Sequence, residues 1–303
     1  MAGKSVIGID LGPNVVKMVE YSPQKKEVLT IAKLFIKPSE WESADALYHK
    51  VLQWVEEKKQ SAHAVLAVGL PGEKGVIRSF EMPEGKAEFP EHIAWELEQY
   101  LAEPVSEFVF DTHWQTEFQV LATAFRKELV QSYQMGLQSK SLPLAVLDVD
   151  AFAVVNAFEI NYPEETRGPV LLLKADAHGL SCLNLSASLW KHMECIPLSQ
   201  DYVELEEAEE KKEMLKGALD RLTAVFAGKS DRPEKGFYCG DLAADPVFVE
   251  SLREALVIHW EPLNAFRKVT FPHDPEHQQK VQETAPQCAA ALGLALRTPE
   301  DRP

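Results

Sequence analysis

Asp10 opens the run Asp-Leu-Gly-Pro-Asn, set between the apolar stretch Val6-Ile7-Gly8-Ile9 and a second one holding Val15, Val16, Met18 and Val19. β-Branched residues on both sides of a Gly-Pro-Asn turn predict a hairpin whose tip presents a carboxylate. Such a turn leaves backbone N–H groups free to face phosphate oxygens, and a carboxylate at the strand end can hold a metal-bound water beside them. A plain N-terminal hairpin has the same wording. Asp10, Gly12, Pro13 and Asn14 therefore form a candidate phosphate loop that needs a counterpart elsewhere in the chain.

Other candidate chemistry is sparse. Cys182, Cys195, Cys239 and Cys288 are scattered through apolar segments with no Cys-x-x-Cys pair, which reads as four reduced core thiols. His273 and His277 lie four apart, but Pro275 between them spoils the helical face a metal pair would use, so they read as loop histidines. No metal centre is expected. A formal net charge of −16 argues against a nucleic-acid surface and favours a basic partner segment. The first residues hold no secretory apolar run, and no later window approaches the roughly 18 uninterrupted apolar residues of a membrane span. The expectation is a cytoplasmic protein whose links to a membrane, if any, run through partners.

The elements that must carry Asp10 follow from periodicity. A third strand, Glu27 to Ile36, completes an antiparallel meander, and apolar residues at spacings of three and four predict a helix over 41–60. His63 to Leu70 is a nearly continuous apolar run, as in a strand buried on both faces, and ends at Pro71-Gly72. Shorter alternating runs around one helix, Pro90 to Leu101, predict a small α+β insertion at about 72–125. A helix over Arg126 to Lys140, a strand at Leu144 to Val149 and an apolar helix capped by Asp150 follow. Pro163 and Gly168-Pro169 then break the chain, giving a first lobe at 1–163 and a second at 164–303.

Past that break the opening plan recurs: strands at Val170 to Ala175, Leu180 to Leu185 and Leu189 to Ile196, then a helix from Tyr202 to Phe226. A short strand at Gly236 to Asp241, a helix at Pro246 to Leu256, a strand at Val257 to Trp260 and a closing helix from about Ala285 to Arg297 complete the chain. The class is α/β, with two halves built alike.

That plan resembles the actin, chaperone and sugar-kinase ATPases, a duplicated ribonuclease H-like fold with nucleotide between the lobes. The local wording resembles the PilM family of type IV pilus assembly proteins, relatives of the cell-division protein FtsA. It is carried by Ile7-Gly-Ile-Asp-Leu-Gly12 with Val16-Lys17 and Val19-Glu20, by Gly69-Leu-Pro71, and by Glu91 to Tyr100. Leu147-Asp-Val-Asp-Ala-Phe-Ala153 with Asn156, and Gly293-Leu-Ala-Leu-Arg297, complete it.

The resemblance implies a first phosphate loop at Asp10, Gly12, Pro13 and Asn14, with Lys17 near it, and ATP with magnesium as the cofactor if one is bound. Asp148 and Asp150 would fall in the segment joining the lobes, where a strand end and a helix cap are the alternative roles. The second loop should read Asp-x-Gly with a hydroxyl residue four positions on. The corresponding stretch is Ala175-Asp176-Ala177 with Ser181, which loses both the carboxylate and the glycine; shifting by one keeps Asp176 but puts His178 at the glycine. The adenosine-side Gly-Gly pair is Cys239-Gly240, and between Ile196 and Phe237 the subdomain that roofs the nucleotide is reduced to one helix and a loop.

A degenerate nucleotide site of Asp10, Gly12, Pro13, Asn14, Lys17, Asp148, Asp176, Ser181 and Gly240 is therefore expected, in a pseudo-ATPase with a reduced second lobe. The function so implied is a scaffold that grips the cytoplasmic tail of a PilN-like inner-membrane protein, with other pilus components and further copies of the chain as possible partners. The tail would lie between the first lobe and its insertion, near Leu70, Pro71, Trp95, Glu96 and Tyr100. An active actin-like ATPase, or the equivalent component of a type II secretion system, is the alternative.

Overall fold

The computed structural model describes residues 5–12, 14–37, 40, 43–82, 89–187, 189–199, 202, 205–226, 233–271, 281 and 283–297. Pro13, His273 and His277 lie outside the described residues.

Three sheets organise the chain. β1 (Ser5–Leu11), β2 (Val15–Ser22) and β3 (Glu27–Phe35) form the expected meander. β4 (Ala64–Leu70) joins β1 in parallel and β8 (Leu144–Val149) joins β4, giving the order β3-β2-β1-β4-β8. The second half repeats this layout with β9 (Val170–Asp176), β10 (Gly179–Ser186), β11 (Leu189–Pro197), β12 (Lys235–Cys239) and β13 (His259–Pro262), in the order β11-β10-β9-β12-β13. The insertion sheet has the order β5-β7-β6, from β5 (Gly75–Glu81), β6 (Phe108–Trp114) and β7 (Gln119–Arg126). It carries helix α2 (Phe89–Glu98) on one face, where Ile93 and Leu97 pack against Val120, Ala122 and Ala124.

The helices that cover the sheets take their limits from their ends. α1 (Ala44–Lys58) starts at Ser43, whose hydroxyl accepts the Ala46 N–H, and buries Leu47, Tyr48, Val51 and Val55. α3 (Lys127–Gly136) follows the insertion, and α4 (Asp150–Asn161) is buried on nearly every side. α5 (Ala208–Phe226) begins later than Tyr202, whose hydroxyl donates to Asp245, the N-cap of α6 (Pro246–Ala255). α5 is the only helix longer than a single turn among the described residues between β11 and β12. All four cysteines are free thiols.

The C-terminal helix α7 (Ala289–Ala295) returns to the first lobe and packs between its sheet and α4. Glycine is required at both contacts. A Cβ on Gly8 would stand 2.0 Å from the Ala291 carbonyl oxygen, and one on Gly293 1.7 Å from that of Ala153. Among the described residues no helix is long and apolar enough to cross a membrane.

Candidate functional site: a carboxylate cleft and an edge-strand groove

β1 and β9 end facing one another across the lobes, and the side chains at their tips form one buried cluster. Asp10 pairs across its hairpin with Lys17, whose Nζ lies 2.9 Å from Asp10 Oδ2. The same ammonium reaches into the second half, 2.8 Å from Asp241 Oδ1 and 3.6 Å from Asp176 Oδ1. Lys174 crosses in the opposite direction. Its Nζ lies 2.7 Å from Asp150 Oδ2 and 4.0 Å from Asp10 Oδ1, and it is hydrogen-bonded to Asp176. Lys17 is fully buried and Lys174 is 6% exposed.

These charges set one another's protonation. Burial alone would drive both lysines neutral, yet each has its pKa raised, Lys17 by Asp10, Asp176 and Asp241, and Lys174 by Asp150, Asp176 and Asp10. Asp176 also feels burial, but the two ammonium groups hold its carboxyl well below the usual carboxylate range. Burial pushes Asp241 up to about 6, and Asp150 is raised by the same cause. Glu73, on the turn after β4, is raised to about 7 by burial and then by the neighbouring Asp150 carboxylate.

The backbone donors of the cleft are also used. Gly72 N–H and Ala151 N–H both donate to Asp150 Oδ1, at 2.9 and 2.6 Å. Asp241 N–H donates to Asp176 Oδ1 at 2.7 Å, an approach that Gly240 permits with φ +95°, since a Cβ there would meet the Ala175 carbonyl at 2.3 Å. Val149 is the N-cap of α4 and Asp150 its first helical residue, so Asp150 serves the cleft as well as the helix end.

The donor set does not fit a magnesium-nucleotide. Asp10, Asp150 and Asp176 offer oxygens within 4.8 Å of one another, a cation-binding arrangement, but the Lys174 ammonium already sits against them. A polyphosphate would meet five carboxyl groups, Glu73 included, against two ammoniums. It would also find the Gly72 and Asp241 amides already donating to carboxylates.

The expected site residues are thus divided. Asp10, Gly12, Lys17, Asp176 and Gly240 converge on the cleft; Asn14 lines an adjoining pocket of about 270 Å³ with Lys33, Lys211 and Asp241. Ser181 stands across its hairpin from Lys174, but its Oγ lies 3.5 Å from Cys195 Sγ. Asp148 belongs elsewhere: one residue in sequence from Val149 and two from Asp150, it turns to the outer edge and pairs with Arg297 at 3.1 Å. Lys174, Asp150, Asp241 and Glu73 are cleft members the sequence reading missed or gave other roles. The signal for Lys174 is in the register. Asp10 pairs with Lys17 and Lys174 with Ser181, both separated by seven residues, so Lys174 stands where the first hairpin has its aspartate and Asp176 where it has Gly12.

A second concavity, about 700 Å³, lies between the insertion and the first lobe. Val109 to His113 of β6 form one wall and Leu147 to Val149 of β8 the other. Both strands end their sheets, so each leaves a row of backbone N–H and C=O groups without a ladder partner among the described residues. The floor is Leu70, Leu121, Phe125, Phe152 and Asn156, and Trp190 of the second half closes one side, edge-on to Phe152 with ring centroids 4.5 Å apart. Asn156 Nδ2 is buried there without an acceptor among the described residues.

Of the expected partner-binding residues only Leu70 lines this groove. Alternate residues of β7 explain why: Val120, Ala122 and Ala124 take α2, so Leu121, Thr123 and Phe125 face the groove. Trp95, Glu96 and Tyr100 are carried by or directly follow α2, on the far face of the insertion sheet. Trp95 is 56% exposed and Tyr100 50%. Pro71 leads into the turn that supplies Gly72 to the cleft.

Two duplicated five-stranded sheets meeting at a charged cleft define a protein of the actin-like ATPase fold. The sequence matches the family model described as type IV pilus assembly protein PilM over residues 8–170. The chain belongs to that family and so to the components of type IV pilus assembly. A solved PilM–PilN type IV pilus biogenesis complex contains a chain similar to this one, at 23% identity and TM-score 0.83, with 96% of this chain and 98% of that one covered. The fold is also shared with an actin-like ATPase-fold protein of unknown function from Bacteroides thetaiotaomicron, at 7% identity, TM-score 0.54 and coverages of 92% and 96%. An inorganic polyphosphate/ATP-glucomannokinase from Arthrobacter is similar at 14% identity and TM-score 0.51, with 97% and 98% covered. Comparison with curated protein sequences gave no match.

Proposed function

We propose that this chain is a docking platform of type IV pilus assembly that grips the extended cytoplasmic tail of a PilN-like inner-membrane protein. It would lie in the cytoplasm, held at the inner membrane through that partner. The single observation that carries this reading is the groove between two unpaired strand edges, β6 and β8. An extended segment of roughly six residues, at about 3.3 Å each, matches their length and would gain main-chain hydrogen bonds from either edge. Phe152, Leu121 and Leu70 offer pockets for alternate side chains, and the Asn156 amide offers a donor for a carbonyl of the tail. Asp111, Asp148 and Glu159 outnumber Arg297 on the walls, which favours a basic tail. Family membership and the similarity to a chain of the solved PilM–PilN complex support the choice of partner. On this reading the cleft does not hydrolyse nucleotide, and the first lobe at 1–163 with its insertion carries the partner site.

The test is titration of the purified chain with the tail peptide of the PilN-like protein from the same organism. Asp111→Lys combined with Glu159→Lys is expected to weaken binding at least about tenfold, while Trp95→Ala stays within about twofold. Loss of binding in Trp95→Ala with no effect of the charge reversals would move the site to α2.

A further inference from the structure

We propose that Lys174 holds the place of a divalent cation in the cleft and that, with Lys17, it forms an internal clamp keeping the two lobes closed without nucleotide. The pairing is reciprocal across the lobes. Lys17 stands on the first sheet and its shortest contact, 2.8 Å, is to Asp241 of the second half. Lys174 stands on the second sheet and lies 2.7 Å from Asp150 of the first. Separating the lobes would leave unpaired charges on both sides, a heavy cost for groups this buried.

Position and chemistry support the same assignment. In the second hairpin the residue at the place of Asp10 is a lysine, so a cation stands opposite the first hairpin's carboxylate where the two hairpin tips face each other. The residue at the place of Gly12 is Asp176, whose side chain fills the space a glycine leaves and takes the Asp241 amide. Three carboxylates gathered within 4.8 Å demand a positive charge, and the Lys174 ammonium supplies it from within the chain. The groove shares this rigidity: Trp190 of the second half reaches Phe152 on its floor, and the Trp190 N–H donates to Gln115 of the insertion at 3.1 Å. A closed cleft therefore gives the groove one shape whatever the nucleotide supply.

The experiment titrates the full-length chain with manganese, read by electron paramagnetic resonance of the free ion, and with magnesium-ATP by calorimetry. The wild-type chain is expected to show no saturable binding of either. Lys174→Ala removes the ammonium that sits against Asp150 and Asp176 and 4.0 Å from Asp10, leaving the three carboxylates only Lys17, and is expected to bind manganese at least about tenfold more tightly than wild type, with a manganese-dependent rise in Tm. Saturable magnesium-ATP binding by the wild type overturns the proposal, as does a folded Lys174→Ala chain with no gain in manganese affinity. Should Lys174→Ala not fold, Lys174→Met with Asp176→Asn removes one charge of each sign. In that variant the Gly72 and Asp241 amides are expected to exchange hydrogen at least about tenfold faster than in wild type, with no manganese bound. Unchanged exchange at those two amides would refute the clamp. Tail binding is measured separately, so loss of the docking reading leaves this result standing, and the converse.

Discussion

Replacing Lys17 by methionine removes the cation but keeps the length of the side chain. Lys17 is fully buried, with Asp10 at 2.9 Å and Asp241 at 2.8 Å, and Asp241 Oδ2 already lacks a hydrogen-bond partner. Removing one member of such a buried group strands the others, at a cost of about 3–5 kcal/mol. For a chain of this size, each kcal/mol moves Tm by about 2–4 °C, so Lys17→Met is expected to melt roughly 6–20 °C lower at pH 7.5. Adding Asp241→Asn removes one stranded charge and is expected to restore about half of the loss. Lower pH should also narrow the gap. Burial holds the Asp241 carboxyl up at about 6, and without Lys17 it takes up a proton more readily still. Thermal melts and urea denaturation, both followed by fluorescence of the six tryptophans, measure the Tm and free-energy shifts. A Lys17→Met chain within about 1 kcal/mol of wild type at pH 7.5, or a double variant no more stable than the single one, would refute the energetic role given to the network.

Glu73→Gln should stabilise the chain at high pH. The Glu73 carboxyl is held up at about 7, so its contribution is full below its unfolded value and is lost as pH rises from about 4.5 through 7. The variant is expected to gain up to about 3 kcal/mol at pH 8 and nothing at pH 4.5, and a gain independent of pH would contradict the assignment. Gly293→Ala places a Cβ 1.7 Å from the Ala153 carbonyl and should cost at least about 2 kcal/mol in urea denaturation. Gly217→Ala is the control. Its Cβ would meet nothing within 4 Å on the exposed side of α5, so it should gain up to about 1 kcal/mol, and similar effects at both glycines would undo the packing argument for α7.

The first hairpin was legible because its signals are local: β-branched runs, a Gly-Pro-Asn turn and an aspartate between them. The second half of the cleft was not, because the residues at the matching positions differ in type. Lys174 and Asp176 stand where the first hairpin has Asp10 and Gly12, so no Asp-x-Gly wording survives, and a match made on an aspartate slides the register past Lys174. Asp148 and Asp150 do fall at a strand end and a helix start, but their separate partners were not legible. A strand gives way to a helix at that point, and only the geometry of the junction decides which carboxylate meets the cleft and which meets Arg297. A concavity does lie between lobe and insertion, but Trp95, Glu96 and Tyr100, which the resemblance puts beside it, are carried by or follow α2 on the other face of the insertion sheet. Alternation along β7 was readable in Val120 to Phe125, yet nothing in the sequence says which alternate set takes the helix. The start of α5 was blurred because Tyr202 fits its apolar spacing although the helix begins only at Ala208.

The docking account is tested most directly by hydrogen exchange of the full-length chain with and without the PilN-like tail peptide, resolved by peptide mass. Protection is expected over Val109 to His113 and Leu147 to Val149, the two strand edges that face the groove, with α2 unchanged. Protection confined to the segment holding Trp95 and Tyr100, or no protection at a saturating tail concentration, would contradict it.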